Sequence, residues 1–209
     1  MTRYRNVSIT QSGRSMVEML GVLAIVGVLS IGGIAGYSKA MAKYKINKTL
    51  DQISLIVTNV RTAFGNQQSY KGLTTTRAIQ YELVGNDLTL GQTTKLTNAF
   101  NGEVTIDAGT STGAACTGTG ATDYCPTFIV TYKGLDQATC GAIASSDWGG
   151  TASSGLYSME IKGGDTTYTH SWTKMDADNT KLPIEYFEAM NECVEIRTGK
   201  TNDIKWVYF

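Results

Sequence analysis

The sequence predicts an α+β fold in which one long amino-terminal α-helix packs against an antiparallel β-sheet. Four observations support this prediction. An uncharged apolar run covers residues 19–38, an apolar stripe with helical spacing continues as far as Phe64, and no proline occurs before Pro126. Beyond about residue 65 the chain changes to short strand-like segments separated by Gly, Ser, Thr and Asn. The length of 209 residues suits one globular domain with an appendage.

The first element is a helix of membrane length. Residues 1–13 are polar and contain Arg3 and Arg5 but no acid. The run 19–38 would span ~30 Å as a helix, which is about the thickness of a bilayer core. Glu18 lies at the beginning of this run, and an ionised side chain at such a position is costly and usually functional.

The same helix is predicted to continue as an amphipathic segment in water. Apolar side chains recur at steps of three and four residues, at Ile46, Leu50, Ile53, Val57, Val60 and Phe64. We interpret this stripe as core packing in preference to a partner-binding coiled coil. Gly65 and Asn66 are typical of a helix end.

The remaining elements build the sheet and its short helices. A short helix is predicted near residues 75–83, and strands are predicted at EVTID, TFIVTYK and the final DIKWVYF. The segment LYSMEIKGGDTTYTHSW is typical of a hairpin that turns at Gly163 and Gly164. Two further helices are predicted at LDQATCGAIA and at PIEYFEAMNECVEI, the second with Pro183 at its start.

Four cysteines, all in the second part of the chain, indicate disulfides and therefore an oxidising compartment. They are Cys116, Cys125, Cys140 and Cys193, and no two have the C-x-x-C spacing of a zinc or redox site. Three pairings are possible. We favour Cys116–Cys125, which closes a short Gly/Thr-rich loop, with Cys140–Cys193, which connects two distant segments.

Composition argues against several classes of function. The 18 basic and 18 acidic residues give a formal net charge of zero, and no basic stripe indicates a nucleic-acid binder. No nucleophile with its base, no phosphate-binding glycine loop and no metal-ligand cluster is recognisable, so we expect neither an enzyme nor a cofactor. His170 lacks co-ligands, and residues 176–179 (DADN) lack the rest of a calcium loop.

One alternative concerns export. The AMA of residues 40–42 fits the small-residue rule of an ordinary signal peptide, which would release a secreted binding module or leave a membrane-anchored one. The apolar run is longer than a usual signal core, and the amphipathic helix continues through the supposed cleavage point. The mass of the mature chain distinguishes the two interpretations.

Residues 13–35 resemble the amino terminus of type IV prepilins and of the pseudopilins of type II secretion. In that family a basic leader ends in Gly, a membrane peptidase cuts after it and methylates the new terminus, and the fifth mature residue is Glu. The resemblance makes Gly13 the last leader residue, Arg14 the new terminus and Glu18 the fifth residue. The chain departs from the family in having Arg14 where Phe or Met is usual.

The resemblance extends to the layout of the whole chain and implies three parts. These are a leader at 1–13, a long helix at 14–65 whose residues 19–38 cross the membrane or form a filament core, and a head at 66–209. The head would contain an αβ-loop, an antiparallel sheet and a disulfide-bounded carboxy-terminal region. Cys140 and Cys193 are similar to the pair that bounds this region in pilins, and the late helix between strands resembles the type IVb subclass.

The function implied is that of a structural subunit of a type IV pilus. The precursor would sit in the inner membrane with its head in the periplasm, and the mature subunit would join an extracellular helical homopolymer. Glu18 would pair with a neighbouring amino terminus as the helices bundle. Implied partners are identical subunits, the prepilin peptidase and an inner-membrane assembly platform, with no host-surface or DNA ligand specified. A minor pilin or a type II secretion pseudopilin is the alternative.

Overall fold

A computed structural model describes residues 15–116, 124–148, 155–164, 170–173, 182–195 and 200–209. The chain divides into two compact units, Met1–Ala42 and Lys43–Phe209. Helix α1 (Met16–Phe64) is continuous over 49 residues and begins with a hydrogen bond from the Met19 amide to the Ser15 carbonyl. The second unit contains the carboxy-terminal part of α1 and all of the following elements.

In the described part of the second unit, four short helices and six strands follow α1. The helices are α2 (Thr75–Gln80), α3 (Asn86–Thr89), α4 (Gln137–Ala144) and α5 (Tyr186–Glu192). The strands are β1 (Leu96–Thr97), β2 (Glu103–Gly109), β3 (Thr127–Leu135), β4 (Leu156–Gly163), β5 (His170–Thr173) and β6 (Asn202–Tyr208). They form one sheet in the order β1-β2-β3-β6-β4-β5, and each neighbouring pair is antiparallel.

The core lies between α1 and one face of this sheet. Ile53, Ile56 and Val60 of α1 are fully buried in one cluster with alternate side chains of the two central strands. On the strands these are Phe128, Val130, Tyr132, Ile204, Trp206 and Tyr208. Alternate residues of a strand point to one face, which explains why every second position of β3 and β6 joins the cluster. The predicted fold class, a long helix packed on an antiparallel sheet, is confirmed.

The buried stripe on α1 is centred differently from the predicted one. Ile56 is fully buried, although the sequence pattern did not include it, while Leu50 and Val57 are only half-buried. Thr49 and Gln52 are buried as well, so the contact face is partly polar. The spacing of apolar residues therefore could not identify the whole contact face of α1.

Polar contacts fix α1 against α3. The Gln52 amide donates a hydrogen bond to the Asp87 carboxylate at 2.6 Å, and the Lys48 ammonium lies 3.2 Å from the same carboxylate. Burial by itself would raise the pKa of Asp87, but these contacts outweigh it and lower the pKa below its usual value. The side chain of Asp87 is therefore held as an anion at the junction of the two helices.

Several predicted details differ from the structure. Helix α3 and strand β1 were not anticipated, because four and two residues are too short to produce a periodic signal. Pro183 lies three positions before α5, whose amino-terminal cap is Glu185. The last strand, β6, lies between β3 and β4, and the sequence analysis made no prediction of the strand order.

Candidate functional site

The apolar segment of α1 is the first candidate site, because its side chains are exposed. Apolar residues throughout it expose half or more of their surface, with Val17 at 76%, Ile31 at 74% and Ile34 at 71%. A continuous exposed apolar surface normally belongs in a membrane or against another protein. Among the described residues, α1 is the one helix long and apolar enough to span a membrane. None of the apolar window of α1 is buried, unlike the core helix of a soluble domain, although a signal sequence would pass the same test.

Five glycines on this segment have no neighbour that requires a small residue. A Cβ atom built on Gly21, Gly27, Gly32, Gly33 or Gly36 would meet nothing within 4 Å. Packing within the chain therefore gives no reason for glycine at these positions. Small residues do allow close approach when apolar helices associate with each other.

Glu18 lies in the first turn of α1 and is exposed. A carboxylate in the first turn of a helix interacts favourably with the helix dipole and its unpaired N–H groups. Gly13 and Arg14, the predicted processing residues, lie outside the described residues. The structure therefore places Glu18 at the amino-terminal end of the apolar helix, and cleavage and methylation stay predictions.

Two disulfides define the carboxy-terminal part of the head. Cys116 is bonded to Cys125 and Cys140 to Cys193, with Cα atoms 5.9 Å apart in both pairs. This is the pairing that the sequence analysis favours. Cys140 lies in α4 and Cys193 follows the last residue of α5, so the second disulfide holds these two helices together.

A buried asparagine, which the sequence analysis missed, attaches the end of this region to the sheet. The Asn202 amide nitrogen donates to the carbonyls of Leu135, at 3.1 Å, and Val194, at 3.0 Å. Its side-chain oxygen accepts from the Val194 amide at 2.9 Å. Asn202 is fully buried, and its position at the start of a strand was the only signal in the sequence. It links β3, β6 and the segment after Cys193.

The residues that the structure describes do not form a metal centre. No group of His, Cys, Asp and Glu among them could hold a metal ion. The segment 176–179 and the side chain of His170 lie outside what the structure describes.

Comparison with known proteins places the head in a family. The family model described as PilS N terminal matches residues 43–206. A type IVb pilin from Salmonella typhi is similar in structure, with a TM-score of 0.47 and 16% identity over 73% of this chain and 92% of that one. TcpA, a type IV pilin from Vibrio cholerae El Tor biotype, also has a TM-score of 0.47, with 10% identity over 79% of this chain and 99% of that one. No curated protein sequence matches the chain.

The family match covers most of the chain and begins directly after the first compact unit. It includes both disulfides, strands β1 to β5, most of β6 and the packed half of α1, and it leaves out the apolar segment with Glu18. Since more than half of the residues match, the chain belongs to the PilS N-terminal family, which is related to the type IV pilins.

Proposed function

We propose that the chain is the structural subunit of a type IV pilus filament. The observation that carries this proposal is an exposed apolar helix with one acid in its first turn, joined to a disulfide-bonded head of the PilS family. The precursor would sit in the inner membrane with its head in the periplasm, where disulfides form. The peptidase would cut after Gly13 and methylate Arg14, and an assembly platform would move the subunit into an extracellular filament.

Assembly would exchange lipid for neighbouring helices around the apolar segment. The exposed side chains between Met16 and Ile34 would be buried by identical segments, and the five glycines would permit close approach. Glu18 would leave the aqueous edge and enter an apolar core, where an unpaired carboxylate costs several kcal/mol. The terminal amine of a neighbouring subunit, which Arg14 of that subunit would carry, would supply the compensating positive charge. This pairing would select the register of the helices.

Replacing Glu18 tests this role. In Glu18→Ala we expect normal membrane insertion but at least a tenfold loss of filaments, as counted by electron microscopy of expressing cells. Glu18→Gln keeps the size and removes the charge, so it should fail as Ala does, whereas the matched acid change Asp51→Gln on an exposed position of α1 should assemble normally. Normal filaments from both Glu18 variants would refute the pairing.

A second candidate is a head released by an ordinary signal peptidase. Both the compact second unit and the family match begin at residue 43, directly after the AMA of residues 40–42. Mass spectrometry of the mature protein separates the candidates. A chain that begins at Arg14 supports the pilin, and one that begins at Lys43 supports a secreted module.

Filament formation also separates the pilin from its relatives. Abundant surface filaments that depend on the prepilin peptidase support a major pilin. Membrane-bound protein that is cleaved after Gly13 without surface filaments would indicate a minor pilin or a pseudopilin of type II secretion.

A further inference from the structure

The segment after α1 contains a small cationic pocket in the head. It has a volume of about 180 Å³ and is lined by Phe64, Gln67, Lys71, Leu73, Arg77 and Tyr81, together with the backbone of Gly72. Two of these side chains are cationic and none is acidic.

The guanidinium of Arg77 is held at the wall of the pocket. Its Nη1 donates to the Gly72 carbonyl at 2.6 Å, and Gly72 has a φ of +83°, a conformation that favours glycine. A Cβ at Gly72 would lie 2.2 Å from Arg77 Nη1, so the side chain occupies space that only glycine leaves open. The helix that carries Arg77 is capped by Thr74, which accepts from the Arg77 amide at 3.3 Å.

Most of the guanidinium's hydrogen-bonding capacity is not used by these contacts. The bond to Gly72 takes one of five N–H donors. Among the described residues no carboxylate forms an ion pair with Arg77. A fixed guanidinium of this kind matches a carboxylate, which it can bind through two parallel hydrogen bonds.

The other walls suit the body of a ligand that carries such a carboxylate. Leu73 is buried and Phe64 half-buried, which makes one side apolar. Tyr81 lines the pocket and is 62% exposed, so its ring can contact a sugar, and the exposed Gln67 amide can hydrogen-bond hydroxyl groups. A volume of about 180 Å³ accommodates one sugar ring.

We infer that this pocket binds an acidic monosaccharide unit, with the carboxylate on Arg77 and the sugar ring on Tyr81. This is a ligand site in addition to filament assembly, because Glu18 and the apolar helix take no part in it. Arg77 is exposed to solvent, so added salt should weaken the interaction.

The test uses the full-length chain in detergent micelles, with sodium glucuronate as the probe and saturation-transfer NMR as the readout. We expect glucuronate to bind at least about tenfold more tightly than glucose, which lacks the carboxylate, or acetate, which lacks the ring. Equal binding of glucose, or equal binding of inorganic phosphate, would overturn the assignment, as would no binding of glucuronate at all.

Variants connect the binding to the pocket. Arg77→Gln should weaken glucuronate binding about tenfold, and Arg77→Lys, which keeps the charge but not the planar fork, should weaken it less. Lys95→Gln removes an equal charge at an exposed position outside the pocket and should leave binding unchanged. Equal losses in Arg77→Gln and Lys95→Gln would overturn the proposal. Unchanged thermal unfolding of each variant shows that the head is folded, and filament counts test the pilin function separately.

Discussion

Asp203 shows how one residue makes the stability of the head depend on pH. It is 9% exposed, accepts a hydrogen bond from the Gly134 amide at 3.3 Å and lies 3.9 Å from the Lys162 ammonium. Burial raises the pKa of its carboxyl, and these weak contacts only partly offset the effect. The charged form is therefore less favourable in the folded protein than in the unfolded chain.

We predict that Asp203→Asn stabilises the head at neutral pH. Because the folded pKa is raised, the wild type loses stability as the pH rises from the unfolded value of about 3.9 through the folded pKa. Asparagine keeps an oxygen for the Gly134 amide and carries no charge. Thermal unfolding of the full chain in detergent should give the variant a higher midpoint at pH 7, and the difference should close near pH 4.

Asp87 provides a control of opposite sign. Its pKa is lowered in the folded state, so its contribution to stability is present above the unfolded value and is lost as the pH falls through the folded pKa. Asp87→Asn should therefore melt below the wild type at pH 7 and approach it at low pH. The same pH trend in both variants would contradict these assignments.

At the scale of elements, the carboxy-terminal part of α1 packs against the sheet through one narrow face. Ile56 is completely buried in the cluster with the sheet, whereas the adjacent Leu55 is 46% exposed. We expect Ile56→Ala to cost about 2–5 kcal/mol of unfolding free energy, because it removes buried surface and leaves a cavity. Leu55→Ala, the matched control, should cost less than about 1 kcal/mol.

Thermal or denaturant unfolding of the two variants in the same detergent checks this prediction. If Leu55→Ala destabilised the head as much as Ile56→Ala, the face of α1 that contacts the sheet would be wrongly identified. The comparison is sensitive because both substitutions remove an apolar side chain of similar size from neighbouring positions on one helix.

The sequence was sufficient to predict the longer elements and the fold class but not the order of the strands in the sheet. Strands such as β2, β3 and β6 have dense β-branched and aromatic residues, and α1 has a long helical period, so local patterns identify them. The position of β6 between β3 and β4 depends on pairing between residues far apart in the chain. Local patterns contain no information on such pairing, and sequential strands are more often neighbours.

The candidate site was predictable to different extents for the same reason. The spacing of Gly13 and Glu18 is visible in the sequence because it is local. The roles of Asn202 and Arg77 are not, since each depends on carbonyl groups that only the folded chain brings within reach. A buried asparagine and an exposed arginine look like ordinary polar residues until their partners are known.

For the whole molecule, the two disulfides should differ in importance. They join cysteines 53 and 9 positions apart, and loop-entropy estimates give about 4 kcal/mol for Cys140–Cys193 and about 2.6 kcal/mol for Cys116–Cys125. Cys140 also holds α4 to α5, whereas Cys116–Cys125 closes only a short loop. We therefore predict that Cys140→Ala/Cys193→Ala lowers the unfolding midpoint by on the order of 10 °C, more than Cys116→Ala/Cys125→Ala does. Reduction of the wild type with dithiothreitol breaks both bonds without removing a side chain and should lower it at least as much. Equal shifts in the two double variants would show that loop length does not determine the contribution of these bonds.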